Sequence, residues 1–160
     1  MSEEIWVREM EFNDLRPVFD LGEELFTAEN WPVLYRTWDE YEIMERFISD
    51  GDFCLVAEVD EKVAGFIIGT VVRKRRSPWV YGYILWLGVD PKKQKLGIAN
   101  KLLSILTRRL KKSGVNLLMA DTSPANPKAI KFFEKSGFGK KEDHIYLYRN
   151  LLKKKTSPEE

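Results

Sequence analysis

The stretch Leu87-Gly88-Val89-Asp90-Pro91-Lys92-Lys93-Gln94-Lys95-Leu96-Gly97-Ile98-Ala99 says most about the architecture of this chain. Apolar residues ending at Val89 read as a strand, Asp90-Pro91 as a short loop, and Gln-x-x-Gly-x-Ala as the opening of a helix. The first turn of a helix leaves backbone N–H groups without intrahelical partners, and these carry the positive end of the macrodipole. A diphosphate fits such a place when the side chains there are small. Gly97 and Ala99 satisfy that condition, and Lys92, Lys93 and Lys95 add positive potential. The spacing is not the Gly-x-Gly-x-x-Gly of a dinucleotide fold, and no Gly-Lys-Ser/Thr of a P-loop follows. Alone, the stretch is equally an ordinary junction of loop and helix.

Outward from it, the helix continues to about Lys112, with Ile98, Leu102, Ile105, Leu106 and Leu110 on one face. Ser113-Gly114 ends it, Val115 to Ala120 forms a short strand, and Asn126-Pro127 starts another helix that Gly137 closes. His144 to Leu151 alternates as a final strand. Upstream, Tyr81 to Val89 is a strand. Phe53–Val59 and Lys62–Val72 form a hairpin across Asp60-Glu61, in which Gly65 and Gly69 mark bulges or close backbone approach. Ile5 to Met10 is the first strand, and a helix capped by Asn13 or Asp14 runs towards Phe26 or Ala28. A second helix starts with a capping box, Thr37 as N-cap and Glu40 at the third position, and ends at Ser49-Asp50-Gly51. Between these helices lies an aromatic loop containing Trp31 and Tyr35. The order β-α-α-β-β-β-α-β-α-β predicts an α/β fold with a mixed sheet flanked by helices.

The chain of 160 residues fits one domain, expected to span residues 1–152, followed by a charged, disordered tail over 153–160. Its 44% hydrophobic content supports a sizeable core, and a net charge of +1 argues against a general polyanion binder. Cys54 is the single cysteine and sits in an apolar run, which reads as a buried small hydrophobe. With His144 the single histidine, no metal centre is expected. No apolar run reaches the roughly 20 residues that span a bilayer. The opening Met-Ser-Glu-Glu is acidic where a signal peptide is basic, so the expectation is a cytoplasmic protein. Arg73-Lys74-Arg75-Arg76 reads as a solvated turn, since no interleaved aromatic platform accompanies it, and a nucleic-acid partner is not expected.

The segment Asp121-Thr122-Ser123-Pro124-Ala125-Asn126-Pro127-Lys128-Ala129-Ile130-Lys131-Phe132-Phe133-Glu134-Lys135-Ser136-Gly137-Phe138 resembles the second signature of the GNAT superfamily of N-acetyltransferases. Gln94 to Ala99 is similar to that family's pyrophosphate motif, and the two signatures stand in the family's order. The resemblance implies a GNAT fold and the transfer of an acetyl group from acetyl-CoA to a primary amine by direct attack. It implies that the amides of Gln94, Lys95, Leu96, Gly97, Ile98 and Ala99 bind the CoA pyrophosphate. By the same resemblance Leu87, Gly88 and Val89 bind the pantetheine arm as an added strand. Asn126 contacts that arm, while Ala129, Phe132 and Phe133 line the far wall. Trp31, Tyr35 and Trp38 sit where the family builds its acceptor pocket, with core packing an equal reading, and Tyr83 is a further candidate for the acceptor site.

The sequence departs from the family at Phe133, where many members carry the tyrosine assigned as proton donor to the departing thiolate. Tyr146, Tyr148 and Tyr83 are candidate replacements, none of them at the motif position. Asp121 matches the base position in one branch of the family, and its alternative role is to cap the turn after the strand. The first expected acceptor is a protein or peptide α-amine or lysine, followed by a small amine such as a polyamine or amino sugar. The alternative to an enzyme is a non-catalytic CoA-binding or regulatory module that keeps the cofactor cradle. Homodimerisation is left open, and no membrane partner is expected.

Overall fold

The computed structural model describes residues 3–26 and 37–152. The aromatic loop with Trp31 and Tyr35, residue 28 at the expected end of the first helix, and the tail 153–160 lie outside the described residues. Five strands form one sheet in sequence order: β1 (Trp6–Glu9), β2 (Cys54–Val59), β3 (Lys62–Arg73), β4 (Val80–Val89) and β5 (Leu117–Ala120). The first four are antiparallel neighbours, and β5 runs parallel to β4. A parallel neighbour requires a crossover, which α3 (Ile98–Lys112) supplies. Asp60 and Glu61 both take left-handed conformations, giving the two-residue turn whose twist matches a hairpin.

Each face of the sheet is covered by helices. On one, α3 buries Ile98, Leu102, Leu103, Leu106 and Leu110 against Leu55, Ala57, Ile67 and Ile84. Side chains of α3 fill the space above Gly65 and Gly69: a Cβ on Gly65 would stand 2.8 Å from Ile98, and one on Gly69 would stand 3.2 Å from Leu106. The sheet also bulges at both places, as the two glycines suggest. On the other face, α1 (Leu15–Leu25) and α2 (Glu40–Ser49) bury Val18, Leu21 and Ile43 with Trp38 against Cys54, Val56, Phe66 and Ile68. Full burial of each such side chain stabilises by about 1.5–3 kcal/mol.

Two expectations are corrected. The N-cap of α2 is Asp39, whose carboxylate accepts from the Glu42 N–H at 2.8 Å, and not Thr37. Both residues suit a cap; burial of Trp38 beneath α1 sets where the chain turns into the helix. The final strand over His144 to Leu151 does not form. Residues 139–151 carry no regular structure, and Ile145, Leu147, Tyr148 and Leu151 are exposed. Alternation of apolar residues suits a strand, but a strand exists only when its backbone pairs with a neighbour.

At the start of α1, Arg8 of β1 grips the Asp14 carboxylate through two nitrogens at 2.6 and 3.0 Å and reaches Glu58 as well. Asp14 also accepts from the Glu11 N–H at 2.7 Å. Burial pushes the Asp14 carboxyl upward, but the Arg8 and Glu11 hydrogen bonds and the Arg8 charge outweigh it and hold the group below its ordinary value.

Candidate active site

The decisive feature is a bulge in β4. Ile68 of β3 pairs with Trp86 and Gly69 with Ile84, so Leu85 is an extra residue. Leu85 and Trp86 consequently both face the α1/α2 side, while Ile84, Leu87 and Val89 face α3. The parallel pairing with β5 ends at Ile84 and Ala120, immediately before the bulge. Beyond it the two strands part, and no strand of the described residues pairs the outer edge of 85–89.

The backbone direction on that edge follows from one hydrogen bond. Asp90 N–H donates to the Ala64 carbonyl at 2.8 Å, so residue 90 points its polar groups towards β3. Alternation along the strand then turns Gly88 towards β3 and Leu87 and Val89 towards the open edge. The Gly88 carbonyl lies close above Gly65 of β3, consistent with that phase.

A cleft of about 580 Å³ fills the space between the parted strands. At one end stands the N-terminus of α3. Gly97 precedes its first turn with φ of 82°, a left-handed conformation that favours glycine, and its carbonyl accepts from Lys101 N–H. Unlike most helix starts, this one has no side chain bonded over its free N–H groups. Across the cleft, α4 (Pro127–Lys135) begins at Asn126, whose Oδ1 accepts from the Ala129 N–H at 3.2 Å. Its Nδ2 is therefore the donor that Asn126 offers to a ligand. Lys128 Nζ donates to Gln94 Oε1 at 2.7 Å, bridging α4 and the loop before α3.

Of the residues predicted for a cofactor, Leu87, Gly88, Val89, Gln94, Lys95, Gly97, Ile98, Ala99, Asn126, Ala129, Phe132 and Phe133 all line this cleft. Leu96 is in the same loop, exposed and outside the lining. Lys93 lines the cleft, but its ammonium is held by Glu3 at 2.9 Å and Asp60 at 3.5 Å, and the Glu3 hydrogen bond raises its pKa. Of the candidate catalytic residues, Asp121 lies in the lining at the end of β5. The turn that follows is capped by Ser123, whose hydroxyl accepts from Ala125 N–H. Tyr146 lies outside the lining, half-exposed, its ring 5.5 Å from that of His144. Tyr83 sits on β4 between Thr70 and Met119, also outside the lining.

Sequence reasoning named no site residue at the other end of the cleft. Leu25 and Phe26 from the end of α1 and Trp86 from the bulge close it. Phe26 lies 4.9 Å from Trp86 and 5.3 Å from Trp38, and the Trp86 indole donates to Glu42 Oε1 at 3.2 Å. No local pattern marks these residues, because they meet only when α1 crosses the sheet at the bulge. Phe133 stacks edge-on with Phe132 and Phe138, 5.2 and 5.1 Å away, and has no proton to donate. Cys54 is no nucleophile here, since burial first, and the Asp50 charge second, push its thiol up to about 12. Among the described residues, no group of three His, Cys, Asp or Glu is placed to hold a metal ion. No described helix is long and apolar enough to cross a membrane.

Comparison with known proteins agrees with this geometry. The model of the acetyltransferase (GNAT) family matches residues 18–138. An acetyltransferase, SG1711, of Sodalis glossinidius (strain morsitans) is 31% identical over 135 residues, covering 81% of this chain and 89% of its own. Among solved structures, the aminoglycoside acetyltransferase meta-AAC0020 from an uncultured soil metagenomic sample superposes with a TM-score of 0.72 at 19% identity, over 92% of this chain and 97% of that one. Naa50 of Arabidopsis thaliana, solved with the bisubstrate analogue CoA-Ac-MVNAL, gives 0.66 at 26% identity, over 86% and 83%. An open strand edge leading to an uncapped helix start suits a long, thin cosubstrate with a diphosphate in its middle, and the chain belongs to the GNAT family of acetyl-CoA-dependent N-acetyltransferases.

Proposed function

We propose that this chain acetylates a primary amine by direct attack on the thioester of acetyl-CoA, the acceptor being a protein or peptide α-amine or lysine, or else a small amine. The observation that carries the reading is the parting of β4 and β5 at the Leu85 bulge, which leaves the Leu87 and Val89 backbone groups facing a cleft that ends at the start of α3. The pantetheine arm lies along that edge, and the pyrophosphate takes the N–H groups from Gln94 to Ala99. The acetyl group then reaches the end walled by Trp86, Phe26 and Leu25.

In that position an outward N–H of β4 polarises the carbonyl, as an oxyanion-hole donor does. Holding amine and thioester together supplies several kcal/mol, about 7–11 in ideal cases. Asp121 takes the proton of the incoming ammonium. With Phe133 in place of a phenol, the CoA sulfur leaves as thiolate, which a thiol of pKa about 8.5 tolerates, and the second proton of the attacking nitrogen passes to solvent. The peptide analogue bound by Naa50 and the aminoglycoside named for meta-AAC0020 represent the two acceptor classes, and the peptide class comes with the higher identity.

Calorimetric titration with acetyl-CoA of the native chain and of Ala99→Glu tests the cofactor site. Ala99 is the cleaner position, because any side chain at Gly97 is strained by the left-handed backbone. A glutamate in the first helical turn suits the macrodipole, so the fold stands while its charge opposes a diphosphate. Micromolar binding by the native chain, lost in the folded variant, supports the reading. No binding by the native chain overturns it. Phe133 favours a second reading, a CoA-binding module without turnover, which stoichiometric binding and no acetylation across peptides, lysines, polyamines and amino sugars would support.

A further inference from the structure

Asp90 is the only acidic residue between Lys62 and Ala120. A chain of net charge +1 therefore concentrates positive charge in its central segment. The structure gathers part of it at one pole. Arg73 at the end of β3 and Lys74, Arg75 and Arg76 in the turn to β4 are all exposed, and α3 ends nearby in exposed Lys111 and Lys112. These segments are stitched together. Arg73 donates to the Ser113 carbonyl at 2.8 Å, Asn116 N–H donates to the Val80 carbonyl at 3.0 Å, and Val80 N–H donates to Asn116 Oδ1 at 2.9 Å. Neighbouring Arg109 is neutralised by Glu9 and does not count towards the patch.

The absence of an aromatic platform in the linear sequence does not survive folding. Trp79, two residues beyond Ser77 in the same turn, is half-exposed, and Lys74 lies 5.3 Å from the centre of the Tyr81 ring. A half-exposed indole in a turn that follows three exposed arginines and a lysine offers a stacking face beside phosphate ligands. The pole lies at the start of β4, about 30 Å along the strand from the phosphate end of the cleft. A ligand there does not compete with CoA.

We propose that this pole binds single-stranded nucleic acid, with Trp79 stacking on an unpaired base and Arg75, Arg76, Lys111 and Lys112 holding the flanking phosphates. A duplex hides its base faces from an indole at a turn, and an acidic peptide has no flat ring to cover it. The surface goes beyond the acetyltransferase reading and stands or falls separately.

Fluorescence anisotropy with labelled 12-residue oligouridine and oligothymidine tests it, in low salt and upward. The expected result is saturable binding to either strand, with a log–log salt slope of about −2 to −3 for three or four phosphates. Trp79→Ala should weaken binding at least about fivefold, the low end for loss of one base stack, and Trp79→Phe should retain it. Arg75→Gln with Arg76→Gly should flatten the salt slope. Arg76 has φ of 64°, so glycine there is safe for the fold. Far-UV circular dichroism and Tm should be unchanged in all these variants, which shows that they are folded. The proposal is overturned by no binding at low salt, by equal binding of Trp79→Ala, or by tighter binding to duplex, polyglutamate or anionic vesicles than to either single strand.

Discussion

The Nζ of Lys128 donates to Oε1 of Gln94 at 2.7 Å, so the first turn of α4 and the loop before α3 are joined across the mouth of the cleft. A pyrophosphate at the α3 N-terminus would lie beside that ammonium. Lys128→Glu should raise the Kd for acetyl-CoA by about 5- to 10-fold, of the order of one ordinary hydrogen bond, because solvent screens the exposed ammonium. Because Lys128 is exposed, the penalty should shrink in high salt. Titrations at two ionic strengths check both statements.

Trp38 occupies the space above Gly22 of α1, where a Cβ would stand 2.0 Å from the indole. Its Nε1–H donates to the Phe19 carbonyl at 3.0 Å, so the ring cannot slide away freely. Gly22→Ala should gain up to about 1 kcal/mol of helix propensity and lose more to overpacking. The expected net outcome is a Tm lower by several degrees, at about 2–4 °C per kcal/mol for a domain of this size. Trp38 also packs on Phe26 and Trp86, 5.3 and 5.0 Å away, so acetyl-CoA binding should weaken too. A raised Tm would contradict the packing argument.

The Asp14 carboxyl is held below its ordinary value, so the unfolded chain takes up its proton first as pH falls. Its stabilisation is complete above the ordinary carboxylate value of about 4 and is lost as pH drops from there through the lower native value. Asp14→Asn should cost about 1–3 kcal/mol at pH 7 and progressively less below pH about 4. Urea unfolding of both proteins across that range measures the closing gap.

Phe133 stands on the cleft wall, and under the proposed mechanism a phenol at this position would serve as proton donor to the leaving thiolate. Phe133→Tyr should leave the KM for acetyl-CoA within about twofold and raise kcat about tenfold, below the typical range for a general acid because the site was not built around it. Steady-state rates on whichever amine the panel identifies check this. An unchanged kcat would mean that thiolate departure does not limit the rate.

Most of the elements that wall the cleft were legible in the linear sequence because their signals are local. Gly97 before a helix, Asn126-Pro127 at the start of another and Asp60-Glu61 between two apolar runs each determine a turn or cap through neighbours a few residues away. Local signals also misled. Thr37 and Asp39 are both competent caps, and the alternation from His144 to Leu151 resembles a strand whether or not an edge receives it.

By itself the sequence determined the order of the elements as far as α4, the glycine before the start of α3 and the family, since these rest on residue identity and spacing along the chain. Tertiary structure decided which side chains share the cleft. Tyr81 to Val89 is nearly all apolar, so no periodicity shows where its phase slips. Only pairing with β3 places the extra residue at Leu85, turns Trp86 towards α1 and opens the edge at Leu87 and Val89. The same holds for Trp79 and Lys111, which hydrogen bonds between distant segments bring to one pole. Contacts of this kind form between residues far apart in the chain, and packing alone selects them.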